Sequence, residues 1–159
     1  MTTRRHFFGA LGTLLTPSVW ALPLTAGTTR LRLAVIIAKS SPLDAISLQD
    51  LRNLYRGDRL VGLQLLPFAF PAGTPERIAF DRAVLGMSPD DVARYWIDRK
   101  IRGHPGAPRA VDSADLLMRV VAKLEGSLGY VRASDVKDYV KVLRIDSKSP
   151  TDPGYPIEY

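Results

Sequence analysis

The chain has no cysteine among its 159 residues. That removes disulfides, zinc–thiolate sites and thiol nucleophiles together. Histidine is almost as scarce: His6 stands near the start and only His104 lies in the body of the chain. One imidazole does not build a histidine metal cluster, and no grouped carboxylates replace it, so neither a metal nor a cofactor is expected. No Ser, Asp or Glu is spaced to orient His104, and no nucleophile–base pair is visible, so the sequence does not read as an enzyme. The formal charge is +6 and the pI about 9.8, yet no run of lysine and arginine marks a nucleic-acid tract. No apolar run reaches the roughly 18 residues that a membrane-spanning helix needs.

What is present is 46% hydrophobic residues, enough for one domain with a proper core. Residues 1–21 combine a basic start, an apolar stretch from Phe7 to Leu15 and Val19-Trp20-Ala21 as a small-residue cleavage pattern. They read as an export signal, which puts the mature protein in the periplasm, beginning near Leu22. Thr3-Arg4-Arg5-His6-Phe7-Phe8 resembles the twin-arginine motif, with Gly9 where lysine is common. Without Arg4 and Arg5 the balance is 20 basic minus 16 acidic residues, or +4. Residues 22–29, with Pro23 and Gly27, are expected to be a flexible linker.

From Arg30 to Ala38 alternation gives way to a continuous apolar run, the pattern of a strand entering a buried sheet. Lys39-Ser40-Ser41-Pro42 breaks it. Ser47 to Asp50 forms a capping-box start for a helix whose apolar face is Leu48, Leu51 and Tyr55, and Gly57 ends it. Leu60 to Phe70 reads as a second strand, with Pro67 suited to an edge or a bend. Then Pro71-Ala72-Gly73 turns into a helix over 75–85, with Thr74 as N-cap and Pro75 at the first position. Its expected buried face is Ala79, Phe80, Ala83 and Val84, leaving Asp81 and Arg82 to solvent. Ser88-Pro89-Asp90-Asp91 opens another helix with Val92, Tyr95 and Trp96 inward. A loop around His104 follows, then a helix capped by Asp112 or Ser113 with a stripe of Leu116, Leu117, Val120, Val121 and Leu124. Ser127 to Val131 reads as a strand with a close-packed Gly129, and Tyr139 to Ile145 as another, leaving 146–159 as an irregular tail.

Three blocks, in order, resemble the phosphate-binding, PstS-type branch of the type 2 periplasmic solute-binding proteins, over roughly residues 31–145. Ser47 to Gly57 is similar to that family's helix ending in an aromatic residue and glycine. Gly73-Thr74 followed by Phe80 resembles its Ser-Gly-Thr turn and apolar anchor, and Gly126 to Val131 its return strand. The resemblance implies an α/β fold: a single periplasmic-binding-protein-like lobe over 30–145, a mixed sheet flanked by helices, where the family has two lobes. It also exposes departures. The family's arginine and acidic residue before the turn fall on Phe68 and Phe70, and its serine on Ala72. Losing an arginine fork removes much of the charge-assisted grip on phosphate.

The candidate anion site is therefore Gly73, Thr74 and Arg77 at the helix start, with Ser40 and Ser41 after the first strand and Arg109 on a basic rim with Arg102 and His104. The expected function is an exported solute-binding-like module that binds phosphate or another small oxyanion weakly, or recognises an envelope partner. The alternative is a module that self-associates or docks on another envelope protein without a small ligand. That alternative expects Phe68 and Phe70 to be uncovered in half a clamp.

Overall fold

The computed structural model describes residues 31–158. The stretches expected to be an export signal (1–21) and a linker (22–29), with Arg30 and Tyr159, lie outside the described residues.

Six consecutive apolar residues, Leu33–Ala38, form β1, and all six are buried. A strand apolar on both faces needs cover on both. β5 (Ser127–Arg132) runs antiparallel beside it, with Leu33 opposite Arg132 and Ile37 opposite Leu128. Successive side chains leave a strand on opposite faces, so Gly129 and Tyr130 look into different layers. Gly129 meets α4 (Ala114–Lys123), where a Cβ would stand 2.9 Å from a Leu117 methyl. The missing side chain lets helix and strand approach, as the sequence suggested. Tyr130 looks the other way. It stacks on Phe80, with ring centroids 3.8 Å apart and planes 4° from parallel, and is flanked by Tyr55 and Phe70 at 5.9 and 5.6 Å.

Those rings arrive from separate elements. α1 (Leu48–Tyr55) is capped by the Ser47 hydroxyl, which accepts from the Asp50 N–H, and its last residue donates from the Tyr55 hydroxyl to the Phe68 carbonyl at 2.8 Å. Phe80 ends α2 (Pro75–Phe80). With β3 (Leu66–Ala69), β4 (Arg109–Ala110) and β6 (Val140–Val142), the sheet has the order β4-β3-β5-β1-β6. β3 is parallel to β4 and β5, whereas β1 is antiparallel to β5 and β6. β2 (Ala45–Ile46) and β7 (Arg144–Ile145) make a separate parallel pair. The result is α/β, a mixed sheet flanked by helices, as expected.

Several local expectations change. Pro67 sits in an interior strand. The Leu66 N–H donates to Gly126 O, so alternation turns the Pro67 nitrogen toward β4, which pairs only from Phe68 onward. The helix after Gly73 passes into a π-helical turn over Asp81–Leu85 before Gly86, at φ +67°, closes it. Asp81, the first residue of this turn, stands four residues after Arg77 and faces inward with it, only 4% exposed. On α4 the buried residues are Leu117, Met118 and Val121, while Leu116 and Leu124 are left largely outside because the face is centred on Leu117 and the backbone leaves the helix at Leu124. α3 (Pro89–Ile101) has its capping box at Ser88 and Asp91, yet buries only Val92 fully, with Tyr95 and Trp96 half-buried. Phe68 and Phe70 are 7% and 5% exposed, so no bare aromatic face exists at this turn.

The tail is irregular but not peripheral. Tyr155 and Ile157 are buried, the Tyr155 hydroxyl donates to Leu33 O at 2.9 Å, and the Leu33 N–H donates to Ile157 O at 3.1 Å. The tail thus covers the start of β1. Tyr155→Ala is expected to lower the unfolding free energy by about 3–5 kcal/mol, and Tyr155→Phe by about 1 kcal/mol, both read from urea melts; a tail merely draped on the surface gives neither loss.

Candidate functional site

The turn after β3 is built by one backbone demand. Gly73 has φ +88°, a conformation that side chains other than glycine resist. Nothing lies within 4 Å of where its Cβ would stand, so the turn faces open space. Thr74 occupies the N-cap position of α2, but its hydroxyl donates to Pro71 O at 2.9 Å instead of capping the helix. The first intrahelical bond runs from the Ile78 N–H to Thr74 O, at 3.0 Å. The amides of Glu76 and Arg77 therefore open the helix with no side-chain cap.

Arg77 turns inward. Its Nε donates to Asp81 Oδ2 at 2.7 Å and its Nη1 to Phe70 O at 3.3 Å, and both side chains of the ion pair are nearly buried. Spacing of i,i+4 on the helix makes the pair local. The other carboxylate oxygen, Asp81 Oδ1, has no partner, nor has Trp96 Nε1. Burial raises the Asp81 carboxyl above its ordinary range, against the pull of Arg77. A cleft of about 260 Å³ lies beside this pair, walled by Gly73, Arg77 and Asp81 on one side and by Trp96, Pro108 and Ala110 on the other. Glu76 reaches across to Arg132 at the end of β5, at 2.5 Å.

The other candidate residues are elsewhere. Ser40 and Ser41 follow β1, which is antiparallel to β5, while β3 is parallel to β5. The carboxyl end of β1 therefore lies at the opposite end of the sheet from Gly73. There Ser41 is occupied structurally: its hydroxyl accepts from the Leu43 N–H and its carbonyl from Lys141 Nζ. Arg109 is paired in register with Phe68, yet it is the neighbouring Ala110 that walls the Gly73 cleft, while Arg109 lines a different hollow. Gly73, Thr74 and Arg77 stay together; Ser40, Ser41 and Arg109 do not join them. Asp81 was missed, although an Arg-x-x-x-Asp spacing on a helix was there to suggest an ion pair. His104 is exposed. Among the described residues no three of His, Cys, Asp and Glu gather as metal ligands, and no helix is long and apolar enough to cross a membrane.

This fold has solved counterparts. The chain aligns with an ABC-type phosphate transport receptor from Vibrio cholerae with a TM-score of 0.62 and 16% identity, covering 77% of this chain and 49% of that one. PstS from Borrelia burgdorferi gives 0.65 and 15%, covering 81% and 55%, and a phosphate-binding protein from Stenotrophomonas maltophilia 0.55 and 15%, covering 76% and 40%. The chain has the fold of one lobe of a phosphate-transport binding protein. It spans about half the length of these structures. No family model and no curated protein sequence matches it.

Within this PstS-like lobe the Arg77–Asp81 pair is expected to be coupled. Asp81→Ala leaves a buried guanidinium alone and should cost about 3–5 kcal/mol at neutral pH, while Arg77→Leu with Asp81→Leu recovers most of it. Because Asp81 holds its proton to higher pH when folded than when unfolded, its contribution to stability falls as pH rises above roughly 4, and Asp81→Asn removes that slope. Urea melts from pH 4 to 8 on the four proteins measure both effects; equal losses in the single and double variants contradict the coupling.

Proposed function

We propose that this protein is an exported, non-enzymatic, PstS-like lobe that captures a small oxyanion weakly at the Gly73 turn. The export signal over 1–21 is removed, 22–29 is a linker, 30–145 is the lobe and 146–159 its irregular closing tail. The observation that carries the reading is the Gly73 turn itself, open above the glycine and followed by uncapped amides of Glu76 and Arg77. Backbone donors at such a turn suit phosphate or sulfate. Weakness follows from the same geometry. Arg77 is committed to Asp81, and the unpartnered Asp81 oxygen by the cleft opposes a second negative charge.

The alternative of docking through a bare Phe68–Phe70 face loses its observation, since both rings are buried. Calorimetric titration of the mature protein with phosphate, sulfate and acetate should give a dissociation constant near the millimolar range, roughly −4 kcal/mol, and Asp81→Asn should tighten phosphate about tenfold by releasing Arg77. No heat with any anion, together with no gain in Asp81→Asn, overturns the reading. Export is tested separately. Replacing Arg4 and Arg5 by lysine should leave unprocessed precursor in the cytoplasm; normal processing points to the general secretory route instead.

A further inference from the structure

At the amino end of β3, away from the Gly73 turn, three exposed leucines stand over two adjoining hollows. Leu63, Leu66 and Leu124 are 40%, 52% and 42% exposed. Scattered exposed leucines are ordinary, but these share walls. Leu63 and Leu66 line a hollow of about 740 Å³, and Leu66 and Leu124 line its neighbour of about 560 Å³. The loop Pro105–Pro108 also lines the second hollow, and proline contributes apolar surface without an N–H donor.

Its charged lining is Asp58, Arg59 and Arg109. Asp58 faces Arg99 at 3.5 Å, which also stacks beside Tyr95 and Trp96. Arg59 and Arg109 make no ion pair among the described residues. Arg59 and Arg109 thus flank a floor of leucine and proline that offers apolar surface to a ligand. A guanidinium matches a carboxylate in a two-point fork, and the floor suits an alkyl chain. A bare phosphate satisfies only the first of these.

We propose that this hollow binds a linear amphipathic carboxylate, its alkyl chain on Leu65, Leu66 and Leu124 and its head group on Arg59 and Arg109. A volume of about 560 Å³ holds a chain of about ten carbons within the usual range for ligand sites. The site is independent of the anion capture at Gly73, which lies beyond the other end of β3.

The test uses the mature protein and three probes, decanoate, hexanoate and decanol, by calorimetric titration below the micellar concentration of decanoate and the solubility limit of decanol. Decanoate should bind saturably with one site, and hexanoate, four methylenes shorter, about two hundredfold more weakly, since each buried methylene is worth about fourfold in affinity. Arg59→Ala with Arg109→Ala should weaken decanoate about tenfold or more while leaving decanol unchanged. Leu66→Ser with Leu124→Ser should weaken decanoate and decanol alike. All four positions are solvent-exposed, and circular dichroism checks the fold of each variant. Equal affinity for hexanoate and decanoate in the unmodified protein, no binding of decanoate at a few millimolar, or full binding by the arginine variant each overturns the proposal. Asp81→Asn should not change decanoate binding, which keeps this result separate from that at Gly73.

Discussion

Tyr130 is the point on which the lobe depends. Its ring lies flat on Phe80, with Tyr55 and Phe70 at its edges, so α1, the turn after β3 and α2 are all fixed against one residue of β5. Each aromatic contact is worth about 0.5–1.5 kcal/mol beyond simple burial. Their geometric effect adds to their energy, because rings from three separate elements meet on one residue of β5. Burial raises the tyrosine hydroxyls well above their ordinary range, so Tyr55 and Tyr130 remain neutral partners in the core.

This cluster explains why the motifs looked like a phosphate-binding protein while the binding residues did not. Tyr55, Phe80 and Tyr130 each come from one of the blocks that carry the resemblance, and all three pack into one core. The resemblance thus reports a way of holding a sheet to its helices. Phe70, where an acidic residue is expected in that family, belongs to the same cluster, and its carbonyl accepts from Arg77. The turn is fixed by using its nearest cation internally, so Arg77 is committed to Asp81 and the Phe70 carbonyl.

Strand direction separates the remaining candidates. Had β1 run parallel to β3 and β5, Ser40 and Ser41 would lie beside Gly73 at a shared carboxyl edge. The antiparallel β1 sends them to the far end, where Lys141 and Leu43 hold Ser41 in place. Alternation along β4 similarly gives Ala110 to one cavity and Arg109 to another.

The sequence by itself determined what depends on a few neighbouring residues. Ser47, Ser88 and Ser113 cap helices because the hydroxyl meets an amide three residues on; β1 reads as a buried strand because six apolar residues follow one another; Gly73 and Gly86 turn the chain because positive φ suits glycine. Tertiary structure decided whatever required a distant partner. Pro67 is interior because β4 begins just beyond its missing donor, Asp81 is buried because the side of the helix it shares with Arg77 is covered in the fold, and Tyr155 joins the core because the start of β1 offers it an acceptor and an uncovered face. Local hydrogen bonds and backbone sterics are written in adjacent letters, whereas burial is a property of surfaces that meet only after the chain has folded.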